Sequence, residues 1–377
     1  MILENQKALF NLPPEVTFLN CANMSPLLRA VNVAGKEAIN KRDTPWEIKT
    51  DDWFNPAEEL RSLVANLVNT ESNNIALVPS ASYGLAVAAK NIRLTDKQEI
   101  IVLDQQYPSN IYVWLELSSS TGAQVITIKR QDNQTWAEAI LEKINDATGL
   151  IAIPNCHWTD GSFIDLEKVS VAAKKVNAKL VIDASQSLGA YPLDIKTLKP
   201  DFLVSVGYKW LLGPYGTAYL YADEKYFSEG VPIEYSWLNR EGSEDFTKLV
   251  NYADQFKDGA RRFDAGGFPA FINLPMSIAA LKQITDWGVN NIQETLSELT
   301  GEIETKAKAI GLEMPKPGSR VGHMIGIKFS ESQVARLSKI LPAEKVFVSF
   351  RGSNMRIAPH LYNDNRDIEK LITYLVN

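Results

Sequence analysis

Apolar and polar positions alternate in blocks along most of this chain. Short apolar runs lie at 75–78, 100–103, 125–128, 150–153, 180–182, 202–206 and 217–221. Each has the length and the β-branched or aromatic content of a buried strand. Between them, amphipathic stretches at 83–91, 110–118, 136–145 and 166–177 carry helical spacing. Thr135-x-x-Glu138 is a capping box for the third stretch, and Asp165 is placed to cap the fourth. Strands that alternate with helices need crossover connections, so the pattern predicts an α/β fold: a mainly parallel sheet with helices on both faces.

The flanks read differently. Residues 1–30 look irregular, with Pro13-Pro14 and the turn formers Asn20, Asn23 and Ser25. Helices are predicted over 27–40 and from Asn55-Pro56-x-Glu58 to about Val68, the asparagine as N-cap and the proline in the first turn. Residues 226–270 show no clear period. Helical patterns follow at 274–287 and 290–310, then a capping box at Ser330-x-x-Gln333, with strand-like segments at 323–329, 346–350 and 355–358. This divides the chain into a large domain over 16–287 and a smaller α+β domain over 288–377, joined by residues 1–15.

Composition narrows the classes. The 377 residues are 45% hydrophobic, with a net charge of −6 and no basic block, which argues against nucleic acid as a partner. Two cysteines, Cys21 and Cys156, lack metal or disulfide spacing and fit a reducing cytoplasm. No apolar run is long enough to cross a bilayer, and the N-terminus lacks a signal pattern, so no membrane partner is expected. The three histidines, His157, His323 and His360, are not clustered, and no metal site is expected. His157 and His360 read either as acid–base groups or as packed, capping side chains.

Ligands of open α/β sheets bind beyond the carboxyl ends of the strands. Past the first strand come Ser80, Ala81 and Ser82, which read as a phosphate cradle at a helix N-terminus or as simple capping by Ser82. Past the second comes Tyr107, either a ring-stacking aromatic or a packing residue. Past the fourth come Asn155, His157, Trp158 and Asp160. The fifth ends in Asp183, with Gln186 close behind, and the sixth leads into Tyr208 and Lys209. Asp183 and Lys209 could form a buried ion pair, or the lysine could snorkel outward. Alternatively Lys209, among Val206, Trp210, Leu211 and Leu212, is a desolvated amine that attacks an aldehyde, with Asp183 holding a protonated pyridine nitrogen. A phosphate seat, a stacking aromatic, a carboxylate and a reactive amine together match pyridoxal 5′-phosphate.

With these motifs in view, the sequence resembles fold-type I pyridoxal phosphate enzymes of the class V aminotransferase group, which includes cysteine desulfurases, kynureninases and isopenicillin N epimerases. The sharpest parts are Asp183-Ala-Ser-Gln186, Ser205-Val-Gly-Tyr-Lys209-Trp-Leu-Leu-Gly-Pro, Ala260-Arg-Arg-Phe-Asp264 and Arg356-Ile-Ala-Pro-His-Leu-Tyr-Asn363. The resemblance implies Lys209 as the Schiff-base lysine, Asp183 on the pyridine nitrogen, Gln186 beside the phenolic oxygen, and Ser82 and Tyr208 on the phosphate. It implies Tyr107 over the ring, Arg356 on the substrate α-carboxylate, and a homodimer with the site at the interface near Arg261, Arg262 and Gly266-Gly267. Departures are Val206 where relatives often have serine, Trp158 where desulfurases often have asparagine, and Gly266-Gly267 where many have Gly-Thr, which leaves only the Gly267 N–H for the neighbouring phosphate. No cysteine lies beyond Cys156, which argues against desulfuration through a C-terminal persulfide.

The resulting expectation is a cytoplasmic enzyme that acts on a small amino acid through its Schiff base with the cofactor, by transamination or lyase chemistry. Alternatives are an amino-acid epimerase or a non-catalytic cofactor-binding sensor or scaffold. A nicotinamide-dependent dehydrogenase lacks its Gly-x-Gly-x-x-Gly loop here.

Overall fold

A computed structural model describes residues 3–131, 133–316 and 318–376. Strand β1 (Thr17–Phe18) precedes the main sheet, which is built from β2 (Ile75–Val78), β3 (Glu99–Leu103), β4 (Gln124–Ile128), β5 (Thr148–Pro154), β6 (Lys179–Asp183), β7 (Phe202–Val206) and β8 (Ala218–Ala222). Their order across the sheet is β2-β8-β7-β6-β5-β3-β4. The pairs from β7 to β4 are parallel, and β8 runs antiparallel to both β7 and β2. All seven predicted strands are present within two residues of their expected ends.

Side-chain alternation explains why the sheet is covered on both faces. Along β6, Leu180 and Ile182 face a core with the helices Thr50–Leu67 and Leu166–Lys175, while Val181 faces the opposite side. Along β7, Phe202, Val204 and Val206 join Val181 against the helices Ala81–Asn91 and Ser109–Thr121. Each such fully buried aliphatic side chain contributes roughly 1.5–3 kcal/mol over its exposed state. Gly84 lets the helix Ala81–Asn91 lie close on the sheet, since a Cβ there would stand 2.7 Å from Val204 Cγ2. That contact fixes the helix N-terminus at the edge where ligands are expected.

The C-terminal part adds β9 (Ile325–Lys328), β10 (Val346–Phe347), β11 (Ser349–Arg351) and β12 (Asn354–Ile357), with β11-β12-β9 as an antiparallel sheet. β10 pairs in parallel with β1, so residues Thr17 and Phe18 of the N-terminal segment lie against this part.

Several boundaries differ from expectation. The helix predicted from Asn55 begins at Thr50, with Pro56 inside it. Its first turn is favoured by tertiary packing, because Trp53 meets Trp237, Phe246 and Phe271 at ring distances of 5.0–6.0 Å. The helix expected to reach Asn145 ends at Leu141. The strand-like run at 346–350 is divided between β10 and β11, which pair with different partners.

Candidate active site

The carboxyl ends of β2, β3, β5, β6 and β7 surround a cavity of about 170 Å³. Of the residues expected at a site, Ser80, Ala81, Ser82, Tyr107, Trp158, Asp183, Gln186, Tyr208 and Lys209 all line it. Gly267 does not; it sits outside the cavity with a φ of +78° and open space around it. Arg356 does not line it either, but donates from Nη1 to the carbonyl of Trp158 at 2.7 Å and so lies behind that wall.

Lys209 follows β7 on the loop 207–213, closed by Gly213 N–H donating to the Gly207 carbonyl at 2.9 Å. Leu212 holds a left-handed φ of 56° on this loop and is fully buried, so apolar packing maintains a backbone strain beside the lysine. The Lys209 side chain is 6% exposed, and burial lowers its pKa to about 8 despite the opposing pull of Asp183. Its Nζ lies 5.3 Å from the Tyr107 ring centre and 5.8 Å from that of Tyr208.

Asp183, at the end of β6, accepts a hydrogen bond at Oδ1 from Ser185 N–H (3.0 Å). No ion pair within 4.0 Å links Asp183 to Lys209 among the described residues, although both line one cavity. The direct salt bridge allowed by the sequence is therefore not formed, and neither is the snorkelling alternative, because the amine is buried.

The two serines past β2 take different places. Ser80, not Ser82, is the N-cap: its Oγ accepts from Tyr83 N–H at 3.1 Å. Ser82, in the first turn and exposed, keeps its hydroxyl clear of that duty. The N–H groups of this first turn and the positive end of the helix dipole are suited to an anion.

The walls are held by specific bonds. Gln186 donates from Nε2 to the Ala22 carbonyl (3.0 Å) and accepts at Oε1 from Trp210 Nε1 (3.0 Å), which fixes its amide. Trp158 donates from Nε1 to the carbonyl of Gln105 at 2.6 Å and meets Tyr107 edge-on, with ring centres 5.4 Å apart. Gln105 has a φ of 52°, which turns the chain between β3 and Tyr107. The two histidines expected as acid–base groups or packing residues take the second role. His157 stacks on Trp136 and its ring nitrogens meet Thr159 and the Asp104 carbonyl. His360 is fully buried among Trp210, Trp287 and Tyr362.

Sequence reasoning missed several wall residues. Ser185 lies within the quoted Asp183–Gln186 motif and Cys156 just past β5, so strand-end position was a usable signal for both. Asn110 and Tyr215 come from a helix and a loop, and only the folded chain brings them in. Ser185 Oγ and Asn110 Nδ2 are buried without a partner among the described residues, which suits a cavity that takes a polar ligand. The separated amine and carboxylate, the first-turn hydroxyl and the aromatic at Tyr107 fit pyridoxal phosphate.

Comparison with known proteins agrees with this geometry. The family profile for aminotransferase class-V matches residues 51–371, and the chain belongs to that family of pyridoxal phosphate-dependent enzymes. An uncharacterized aminotransferase, YcbU, of Bacillus subtilis (strain 168) is 26% identical over 98% of this chain and 96% of its own length. A kynureninase of Bacillus thuringiensis subsp. konkukian (strain 97-27) is 24% identical over 88% of this chain and 79% of its own. The apo cysteine desulfurase of Thermococcus onnurineus NA1 shares the fold, with a TM-score of 0.86 over 100% of this chain and 98% of that one, at 19% identity. Among the described residues, no helix is long and apolar enough to cross a membrane.

Proposed function

We propose that this chain acts on a small amino acid, by transamination or lyase chemistry, with Lys209 as the covalent anchor of pyridoxal phosphate. The observation that carries the reading is a buried Lys209 amine and an Asp183 carboxylate that share one cavity without pairing. Pyridoxal phosphate, when bound, supplies an electron sink for bonds to the substrate's α-carbon.

The chain's own residues divide the remaining work. Lys209, with its pKa lowered to about 8, offers a substantial neutral fraction near that pH, as attack on an aldehyde carbon requires. The same Nζ, when not bonded to the cofactor, would be the base that takes the α-proton. Asp183 would keep a pyridine nitrogen protonated by accepting its N–H. Ser82 and Tyr208 hydroxyls would hold the phosphate with the first-turn N–H groups, and Tyr107 would supply an aromatic face for the ring. Gln186, fixed by Ala22 and Trp210, sets the position of the phenolic oxygen. Arg356 takes the substrate α-carboxylate, since its fork suits bidentate binding and Nη2 is buried without a partner.

We also propose a cytoplasmic homodimer. The half-exposed rings of Trp237 and Phe246, gathered around Trp53, suit a covered face, and Gly267 lies outside its own chain's cavity, free to meet a neighbour's.

The test is optical. Protein loaded with pyridoxal phosphate should show a visible absorption band that borohydride abolishes, and Lys209→Ala should lose it. A Lys209→Ala protein that keeps a borohydride-sensitive band at this site would overturn the assignment. Incubation with single amino acids then separates the chemistries: recovery of pyridoxamine phosphate marks transamination, release of a side-chain fragment marks a lyase, and inversion alone marks an epimerase.

A further inference from the structure

Two arginines meet at Trp158, and among the described residues neither forms an ion pair with a carboxylate. Arg356 donates from Nη1 to the Trp158 carbonyl (2.7 Å) and from Nε to Ser349 Oγ (3.1 Å), while Nη2 is buried without a partner. Arg351 lays its guanidinium 5.3 Å from the centre of the Trp158 ring and donates from Nη1 to the Phe350 carbonyl at 2.7 Å. Its Nε is buried and unpartnered as well.

The hairpin register brings the two together. Ser349 pairs with Arg356 across β11 and β12, and Arg351 stands two residues beyond Ser349. Directly paired residues share a face, as do residues two apart on a strand, so both arginines project from the same side of the hairpin.

Not every buried arginine here meets a carboxylate, since Arg262 donates to the Ser228 and Gly230 carbonyls, but acids are available in number. Acidic residues number 45 against 39 basic ones, and Arg61, buried to 0% exposure, is met by the Asp264 carboxylate at 2.9 and 2.5 Å. Among the described residues, neither Arg351 nor Arg356 forms an ion pair with a carboxylate, and desolvated cations are costly unless paired. Lys209 adds a third basic group nearby, against the single carboxylate of Asp183 on the cavity wall. Ser82 belongs to the helix Ala81–Asn91, whereas both arginines stand on the β11–β12 hairpin.

We propose that Arg351 and Arg356 form a two-guanidinium subsite for an amino acid with a second acidic group on its side chain. Arg356 takes the α-carboxylate and Arg351 the distal acid, with Trp158 as the platform between them. This rests on the reading of the cavity as an amino-acid site and names its substrate class. A substrate with an apolar or basic side chain would leave Arg351 unsatisfied.

Calorimetry on the cofactor-loaded protein, with succinate and butyrate as unreactive probes of equal chain length, tests the subsite. Succinate should bind about tenfold more tightly, and the difference should shrink as salt is raised. Arg351→Gln should reduce the preference to within about twofold, and Arg351→Lys, which keeps charge but not the fork, should restore part of it. Equal binding of both probes, binding of neither, or a preference that survives in Arg351→Gln would overturn the proposal. The visible band is followed in parallel. A normal band without succinate preference refutes only the subsite, whereas succinate preference without a Lys209-dependent band refutes only the cofactor reading.

Discussion

The Lys209 amine is held where its own charge is disfavoured. Its pKa of about 8 in the folded chain lies below the 10.5 of a free lysine, chiefly through burial. Between these two values the unfolded chain binds a proton that the folded chain does not, so stability of the cofactor-free protein rises with pH through this window. Below pH 8 the penalty is present in full. Replacing the amine with a thioether of similar size should therefore stabilise the cofactor-free protein. We expect Lys209→Met to gain roughly 2–3 kcal/mol at pH 7, reduced somewhat by the loss of a cation beside Asp183, and to gain almost nothing above pH 10.5. Urea unfolding at both pH values checks this; a variant less stable at pH 7, or a gain independent of pH, would show that the buried amine is not under this strain. A reactive group retained at a stability cost is what a functional site predicts and a packing role does not.

At the scale of the element, the helix Ala81–Asn91 separates two serines that look equivalent in sequence. Ser80 caps the helix, and Ser82 stands one residue inside it with its hydroxyl available. Ser80→Ala should cost about 1 kcal/mol of stability whether or not cofactor is present. Ser82→Ala should leave the cofactor-free protein within about 0.5 kcal/mol of the parent, yet weaken pyridoxal phosphate binding about tenfold. Thermal melts without cofactor and a spectroscopic cofactor titration distinguish them, and a reversal of the two patterns would exchange their roles. The same helix illustrates what local pattern reveals. Strands β2 to β8 were legible because each is a short apolar run between turns, and the places of Lys209, Asp183, Ser82 and Tyr107 on the cavity wall were legible because strand ends are where such sheets bind ligands. The start of the helix at Thr50 was hidden because Trp53 finds its reason in Trp237, Phe246 and Phe271, all far away in sequence. Arg351 was hidden for a similar reason: one strand residue among many gains meaning only when the hairpin lays it beside Arg356 and Trp158.

Across the whole molecule, all three histidines are buried as neutral rings, two of them where the C-terminal part meets the main sheet. His323 meets the Gln186 carbonyl at 2.7 Å and stands edge-on to Trp210, and burial lowers its pKa to about 4. His360, beside the same Trp210, is lowered to about 3 by burial and by His323. His157 on Trp136 is lowered too, again mainly by burial. In each case the unfolded chain takes up a proton below pH 6.5 that the folded chain refuses, so stability is greatest above 6.5 and falls as the medium is acidified towards 4. Each histidine adds up to about 1.4 kcal/mol of loss per pH unit, and the three act in the same direction. His360 offers the clean dissection, because neither ring nitrogen has a partner among the described residues and a phenyl ring leaves no bond broken. His360→Phe should match or exceed the parent's stability at pH 7 and should remove close to one proton from the uptake on unfolding at pH 5. Denaturant titrations across pH 4.5–7 measure that slope directly, and an unchanged slope would mean that His360 is already protonated in the folded protein, contrary to its apolar cage of Trp210, Trp287 and Tyr362.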